Sequence, residues 1–264
     1  MVFVEDKLKQ LIDVLNQYPT LAVAVSGGVD SMLLMYVANS FADSDVIAAH
    51  AYSPAVPSSA FKLIQSYTLN YGWTLKLLDA QELKEERYKN NPVNRCYYCK
   101  RNLYQRIAHC FNRTIASGTN LDDLSDYRPG LQAAEEYSVV HPYVKANMTK
   151  GDIYELAAYL NLQELKCLPP QPCLASRIET GISIKQTTLK FIDLLESKLK
   201  DIMQKTDTVR CRITQQGVVV ELGNMPDDTL LMQIMQYVKQ ECEQHNYVFS
   251  GVRPYQKGSA FKSA

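Results

Sequence analysis

The sequence predicts an α/β protein, a parallel sheet with helices on both faces, followed by a smaller C-terminal α+β domain. Three observations predict it. Short apolar runs alternate with stretches of helical spacing as far as Leu160. One of the junctions, Ser26-Gly27-Gly28-Val29-Asp30-Ser31, sets two glycines between an apolar strand and a helix. After Gly181 the pattern changes to a long helix, a hairpin, a second helix and a last strand.

The elements follow in order. Val4, Leu8, Leu11, Ile12 and Leu15 have helical spacing. Leu21 to Val25 reads as a buried strand, Ser31 to Phe41 as a helix and Val46 to Tyr52 as a second strand. Ser58 to Asn70 reads as a helix and Thr74 to Leu78 as a third strand. A loop over 89–94 leads to a helix from Arg95 to Phe111, with Asn94 as its N-cap, and a strand from Thr114 to Ser117. The polar loop Gly118 to Asp123 comes next, and Val139 to Tyr143 is expected as a fifth strand. Thr149 to Leu160 is a helix with Thr149 as N-cap. Leu168-Pro169-Pro170-Gln171-Pro172 ends regular structure and opens a loop that carries Cys173. A helix over 185–203, a hairpin of Val209–Thr214 and Val218–Leu222, a helix over 227–245 and a strand over 247–250 complete the chain. Domains are expected at residues 1–180 and 181–264.

Twenty-eight basic residues balance twenty-eight acidic ones, so no overall positive field draws this chain to nucleic acid. No apolar run reaches the roughly 18–20 residues that span a membrane. The N-terminal stretch lacks the form of a signal peptide, and a cytoplasmic location is the expectation. Seven cysteines, an odd and sparse set, read as thiols, metal ligands or catalytic sulfur rather than as a disulfide framework.

The glycine-rich junction has a direct chemistry. Gly27 and Gly28 lack Cβ atoms, so their amides can approach a pyrophosphate closely. With the first N–H groups of the helix they make an anion nest. Ser26 and Ser31 add hydroxyls. Asp30 would repel a bare phosphate but makes sense as a ligand for Mg²⁺ that bridges to phosphate.

Cys96 and Cys99 stand at i and i+3, on one helix face and roughly 5–6 Å apart at Cβ. The first turn of a helix and the neighbouring Lys100 and Arg101 favour thiolate. Cys173 could be a third ligand. Three thiolates suit an iron–sulfur cluster with one open iron, or zinc with a fourth ligand; ordinary thiols are the plain alternative. Cys110, Cys167, Cys211 and Cys242 have no partner at ligand spacing and read as packing or surface residues.

The loop resembles the PP-loop of ATP-pyrophosphatases. Along the chain follow Arg95-Cys96-Tyr97-Tyr98-Cys99-Lys100, Ser117-Gly118-Thr119-Asn120, Asp126-Tyr127-Arg128-Pro129-Gly130, Pro172-Cys173-Leu174-Ala175-Ser176-Arg177 and Val209-Arg210-Cys211-Arg212. Together they resemble the LarE-type sulfur transferases of nickel-pincer cofactor synthesis, over nearly the whole chain. The resemblance implies an adenine nucleotide alpha hydrolase-like fold, with a PP-loop domain at 1–180 and a substrate and oligomerisation domain at 181–264. It implies that ATP, with Mg²⁺, adenylates a carboxylate of a pyridinium dicarboxylate mononucleotide, and that sulfur then displaces AMP. Ser26, Gly27, Gly28, Asp30 and Ser31 would hold the phosphates, and the backbone at His50, Ala51 and Gly118 would flank adenosine. Some members sacrifice the sulfur of the cysteine matching Cys173. Others bind a [4Fe-4S] cluster through three cysteines matching Cys96, Cys99 and Cys173, and this sequence has all three. Arg177 would lie near the reacting sulfur, and Arg210 and Arg212 would bind the substrate phosphate, two guanidiniums on one strand face being a plausible clamp; a solvated strand face is the plain alternative. The implied partners are a small nucleotide substrate, sulfide or another sulfur donor, and further copies of the chain. The stretch Phe249 to Tyr255 departs from the family's acidic, Gly-Arg-Ser-Gly ending, which bears on the substrate more than on the ATP chemistry.

Three rivals remain. A tRNA thiolase shares the loop and the three cysteines, but the zero net charge and the lack of a recognisable RNA-binding domain stand against it. An ammonia-using amide synthetase would have no use for Cys96, Cys99 and Cys173. A nucleotide sensor would release no pyrophosphate.

Overall fold

Leu21, Val23 and Val25 alternate with Ala22 and Ala24, and all five are buried. Successive strand residues face opposite sides, so such a strand needs cover on both. The computed structural model, which describes residues 2–125, 129–203 and 208–256, provides it. Its elements in chain order are α1 (Val2–Leu15), β1 (Thr20–Ala24), α2 (Val29–Phe41), β2 (Asp45–Tyr52), α3 (Ser58–Tyr71), β3 (Leu75–Asp79), α4 (Glu86–Lys89), α5 (Arg95–Cys110), β4 (Thr114–Ala116), α6 (Pro129–Glu136), α7 (Pro142–Lys145), α8 (Lys150–Tyr159), α9 (Gln163–Lys166), α10 (Gln186–Ile202), β5 (Val209–Thr214), β6 (Gly217–Leu222), α11 (Asp228–Gln244) and β7 (Phe249–Pro254). They fall into two compact units, one of residues 1–82 and 94–171, the other of residues 83–93 and 172–264.

In the first unit four parallel strands lie in the order β3-β2-β1-β4. Leu21, Val23 and Ala48 pack on one face with α2 (Leu33, Leu34, Val37), α3 (Leu63, Ile64) and α8 (Ile153, Leu156). Ala22, Ala24, Ile47 and Ala49 pack on the other with Tyr104 and Ile107 of α5 and Ala133 and Ala134 of α6. The chain steps outward from β1 to β2 to β3, then returns to place β4 on the far side of β1. The order therefore reverses between β1 and β4, where open α/β sheets form a crevice at the strands' carboxyl ends.

The second unit is a mixed sheet of three strands. β5 and β6 are antiparallel, and β7 pairs with β6 in parallel across a register shift at Val218/Val219. Leu189, Ile192, Leu195 and Leu199 form the buried face of α10. Asp227 caps α11, accepting from Leu230 N at 2.8 Å. The excursion 83–93 joins this unit through Asn91, whose Nδ2 donates to Glu179 O at 2.8 Å and Ile182 O at 2.9 Å. The α/β class and the small C-terminal mixed region are as the sequence predicts.

Three expectations change. Of Val139 to Tyr143 only Val140 pairs, in a single bridge to Ala116. Pro142 has no N–H for a ladder and instead opens the short helix α7. The last strand begins at Phe249 and runs to Pro254, later and longer than its polar start suggests. Asn94 occupies the N-cap of α5 but makes no side-chain cap bond. The cap predicted at Thr149 does form, and reciprocally: Asp152 N donates to Thr149 Oγ1 at 3.2 Å and Thr149 N to Asp152 Oδ2 at 2.7 Å. Among the described residues no helix is long and apolar enough to cross a membrane.

Candidate functional site

The loop between β1 and α2 is closed by Ser31. Its hydroxyl accepts from Ser26 N at 3.0 Å, donates to Gly28 O at 3.1 Å and meets Ser26 Oγ at 3.1 Å. Gly27 has φ +81°, and a Cβ there would stand 2.7 Å from Ala60 Cβ of α3, so only glycine fits. At Gly28 a Cβ would meet nothing nearer than Ser26 Oγ at 3.6 Å. The protein's own packing does not demand glycine there, so the absence of a side chain at this position is left to be explained by what the loop binds. Gly118, after β4, lies against the loop: a Cβ there would come within 2.8 Å of Ser31 N and 2.9 Å of Asp30 C. The fold thus gathers Ser26, Gly27, Gly28, Asp30, Ser31 and Gly118 at the carboxyl ends of β1 and β4.

His50 and Ala51 sit near the end of β2. The His50 ring is buried and stacks on Phe61 with centroids 5.3 Å apart, and its Nδ1 donates to Val25 O at 2.9 Å. Burial pushes the pKa of His50 down, against the opposing effect of that bond. A neutral ring tied to Val25 fixes the strand end from which the loop springs.

Asp30 has a partner that the sequence did not reveal. Lys150 Nζ lies 2.6 Å from both of its carboxylate oxygens, and Asn120 Nδ2 lies 3.4 Å from Oδ1. Tyr143 Oη donates to Asp30 O at 3.0 Å. A signal for Lys150 was present. It opens a helix, where the dipole disfavours a cation, so its place there calls for a local anion. On the β4 side His141 Nδ1 is 2.8 Å from Ser117 Oγ, which is 3.0 Å from Thr119 Oγ1. Burial, with Lys100 nearby, lowers the His141 pKa.

Cys96 and Cys99 are half-buried in the first turn and a half of α5. Cys173 is exposed and belongs to the second unit. Among the described residues no group of three or more His, Cys, Asp or Glu side chains stands together as a metal site. Asp126, Tyr127 and Arg128 lie outside the described residues.

In the second unit Cys173 opens the turn 174–177, and Arg177 holds that turn from beneath. Arg177 Nε and Nη2 donate to Glu196 at 2.9 and 3.0 Å, a bidentate pair buried on both sides. Its Nη1 donates to Pro172 O at 2.8 Å and Cys173 O at 3.2 Å. Glu196 Oε1 also accepts from Cys211 N at 2.9 Å, which ties the turn to β5. Burial alone would lower the Arg177 pKa, but Glu196 raises it above the ordinary value. The Cys211 thiol is pushed well up by burial and stays neutral packing.

Arg210 and Arg212 are not a solvated strand face; both are buried. Arg212 Nε donates to Glu221 at 2.7 Å and its Nη1 to Ser176 O at 3.0 Å. Arg253 Nη2 donates to the same Glu221 at 2.8 Å. The Arg210 guanidinium lies 5.9 Å from the centre of the Tyr255 ring, and burial together with the like charge of Arg177 lowers its pKa. Arg210, Arg212 and Arg253 thus gather where Glu221 supplies the counter-charge, an environment that favours a further anion. Sequence reading missed Glu196 and Glu221. Glu196 was visible as a carboxylate at an apolar position in the Leu189, Ile192, Leu199 spacing of α10.

The sequence matches no family model. It is 32% identical over 223 residues to an uncharacterized protein of Synechocystis, slr1717, covering 83% of this chain and 82% of the relative. It is 28% identical over 229 residues to an uncharacterized protein of Methanocaldococcus jannaschii, MJ0830, covering 84% and 86%. It is 26% identical over 215 residues, covering 80% and 78%, to the pyridinium-3,5-bisthiocarboxylic acid mononucleotide synthase of Lactiplantibacillus plantarum. By the extent of the first match and the character of the third, this protein belongs to the same family as the Synechocystis protein slr1717, a LarE-like family.

Proposed function

We propose that this chain is an ATP-dependent sulfur transferase. It adenylates a carboxylate of a pyridinium dicarboxylate mononucleotide, releasing pyrophosphate, and replaces AMP with sulfur. The observation that carries the reading is a cysteine turn clamped by a buried ion pair, Cys173 on Arg177–Glu196, in a chain that also bears a phosphate loop at the strand-order reversal. The resemblance to a bisthiocarboxylic acid mononucleotide synthase supplies the substrate class.

Each residue has a part. Backbone amides at Gly27 and Gly28 and the hydroxyls of Ser26 and Ser31 receive the phosphates. Asp30 is the carboxylate that would hold Mg²⁺, a hard cation suited to an oxygen donor beside phosphate. The backbone at His50, Ala51 and Gly118 borders adenosine. Arg210 and Arg212 take the substrate phosphate. Arg177 fixes the backbone of Cys173 so that its thiol meets the reacting carbon in one orientation. Cys96, Cys99 and Cys173 are the residues that would supply the soft thiolate donors of a [4Fe-4S] cluster. Such a cluster, when bound, offers one open iron to an exogenous sulfide. The exposure of Cys173 also favours a second reading, in which its own sulfur is transferred and the residue is left as dehydroalanine.

Anaerobic reconstitution separates the two. On the first reading the wild type binds about four iron per chain, and each of Cys96→Ala, Cys99→Ala and Cys173→Ala binds far less. On the second, no iron is needed, and the mass of the protein falls by the elements of hydrogen sulfide in step with product. Absence of pyrophosphate release from ATP with the dicarboxylate mononucleotide, under every sulfur donor, sinks both.

A further inference from the structure

Asp30 presents a contradiction that the fold resolves with Lys150. A lone carboxylate in an anion nest would repel the phosphates the nest is built to receive. Lys150 Nζ cancels it at 2.6 Å from both oxygens. The main chains beneath the pair are pinned. Tyr143 Oη donates to Asp30 O at 3.0 Å, and Gly118 is packed against the Asp30–Ser31 peptide. At the other partner, the reciprocal Thr149–Asp152 cap holds the start of α8, and Lys150 N donates to Asp122 Oδ2 at 2.7 Å. Freedom therefore resides in the side-chain ends. A lysine is suited to use it, having a flexible four-carbon stem and three rotatable donors. The pair is about a third exposed, so incoming ions can reach it.

We propose that Lys150 is a counter-ion that exchanges partners: it neutralises Asp30 in the empty site, and when Mg²⁺–triphosphate enters, Asp30 turns to the metal while the Lys150 ammonium turns to a phosphate oxygen. Charge balances on both sides of the exchange, one ammonium–carboxylate contact giving way to a carboxylate–metal and an ammonium–phosphate contact. Lys150 is thereby a phosphate-binding residue as well as a guard that keeps Asp30 from holding metal before nucleotide arrives. The proposal rests on the reading of the loop as an ATP site.

Titration calorimetry of the whole chain tests it, with Mg²⁺ alone and with Mg²⁺ plus an ATP analogue whose α,β bridge cannot be cleaved. In Lys150→Met, Mg²⁺ alone should bind about tenfold more tightly than in the wild type, because Asp30 has lost its competitor. The Mg²⁺–analogue complex should bind about tenfold more weakly, because one charge-assisted contact is gone. Lys150→Arg should recover most of the analogue affinity. A merely structural lysine would not move the two affinities in opposite directions. Equal affinities in Lys150→Met and wild type, or shifts of both in one direction, overturn the exchange while leaving the ATP site standing. A wild type that binds no Mg²⁺–analogue overturns the ATP reading itself, and the exchange with it. Circular dichroism melts confirm folding, since a pair this exposed adds little to stability.

Discussion

The loop after β1 and the sheet β5-β6-β7 hold charge in different ways. The loop uses main-chain amides and hydroxyls, with one ion pair about a third exposed, Asp30–Lys150. The sheet uses side chains: four arginines and two carboxylates, with Arg177–Glu196 and Arg212–Glu221 both buried. Amides at a strand–helix junction exist whatever the side chains, so the loop's charge groups can be exchanged at little structural cost. Buried guanidiniums must be paired to be tolerated, so in the sheet the charges are themselves part of the fold. The difference teaches that substituting the charged groups of the first region should harm chemistry and spare stability, and that substituting those of the second should harm both.

The strongest test is Glu196→Ala. It leaves a buried Arg177 without its bidentate partner and Cys211 N without an acceptor. The expected loss is about 3–5 kcal/mol, read from urea unfolding. A loss below about 1 kcal/mol, the range of an exposed pair, would break the distinction between the regions.

Arg212→Ala comes next, because Glu221 keeps Arg253. Stability should fall by about 1.5–3 kcal/mol, and affinity for the mononucleotide should fall about tenfold or more, with ATP affinity intact. Weaker ATP binding with unchanged substrate binding would show that the arginines serve the other ligand.

Asp30→Ala should cost less than about 1 kcal/mol in unfolding. Pyrophosphate release should nevertheless fall about a hundredfold or more, given the several kcal/mol a bound metal contributes to a phosphoryl transition state. Unchanged nucleotide binding and unchanged release in this variant would remove Asp30 from the site.

The smallest effect is a slope. The pKa of His50 is lowered in the folded protein by burial. As pH falls through the ordinary histidine range, near about 6.5, the unfolded chain gains a proton that the folded one refuses. His50 therefore adds stability that is fully present above that range and is lost toward lower pH. His50→Gln should flatten the fall in melting temperature between pH 7 and pH 5; an unaltered slope would assign it to His141, whose pKa is lowered in the same direction.

What was legible in the sequence follows the same division. Strand β1, its glycines and α2 were readable because the signals are local: an apolar run, then two residues without Cβ, then helical spacing. Gly118 could be singled out, but its packing against Asp30 and Ser31 is a fact of tertiary structure. The fifth strand was misread because Val139 and Val140 look like a strand start, while Pro142 withholds the N–H that would continue it. Arg210 and Arg212 were singled out by the family resemblance, and their place on one strand face made a clamp plausible, but their burial was not legible. Charged residues on alternate strand positions look solvated until the counter-charges are known, and Glu221 comes from the neighbouring strand, opposite Arg210 in register. Lys150 lies 120 positions from Asp30, beyond any local pattern.

The Asn91 side chain carries a consequence for how the chain is made. It donates to carbonyls at Glu179 and Ile182, the first of them 88 positions downstream. The excursion 83–93 is therefore synthesised well before the segment it staples, and it emerges from the ribosome with its acceptors still untranslated. The second unit is discontinuous in the message, and a C-terminal fragment starting at Pro172 would lack one of its own pieces. Such a long-range contact forms late, because it cannot close until residues 179–182 have been made. A gene cut between residues 171 and 172 would therefore not yield two self-sufficient halves, since the first would carry 83–93, a piece of the second unit, away from the rest of it.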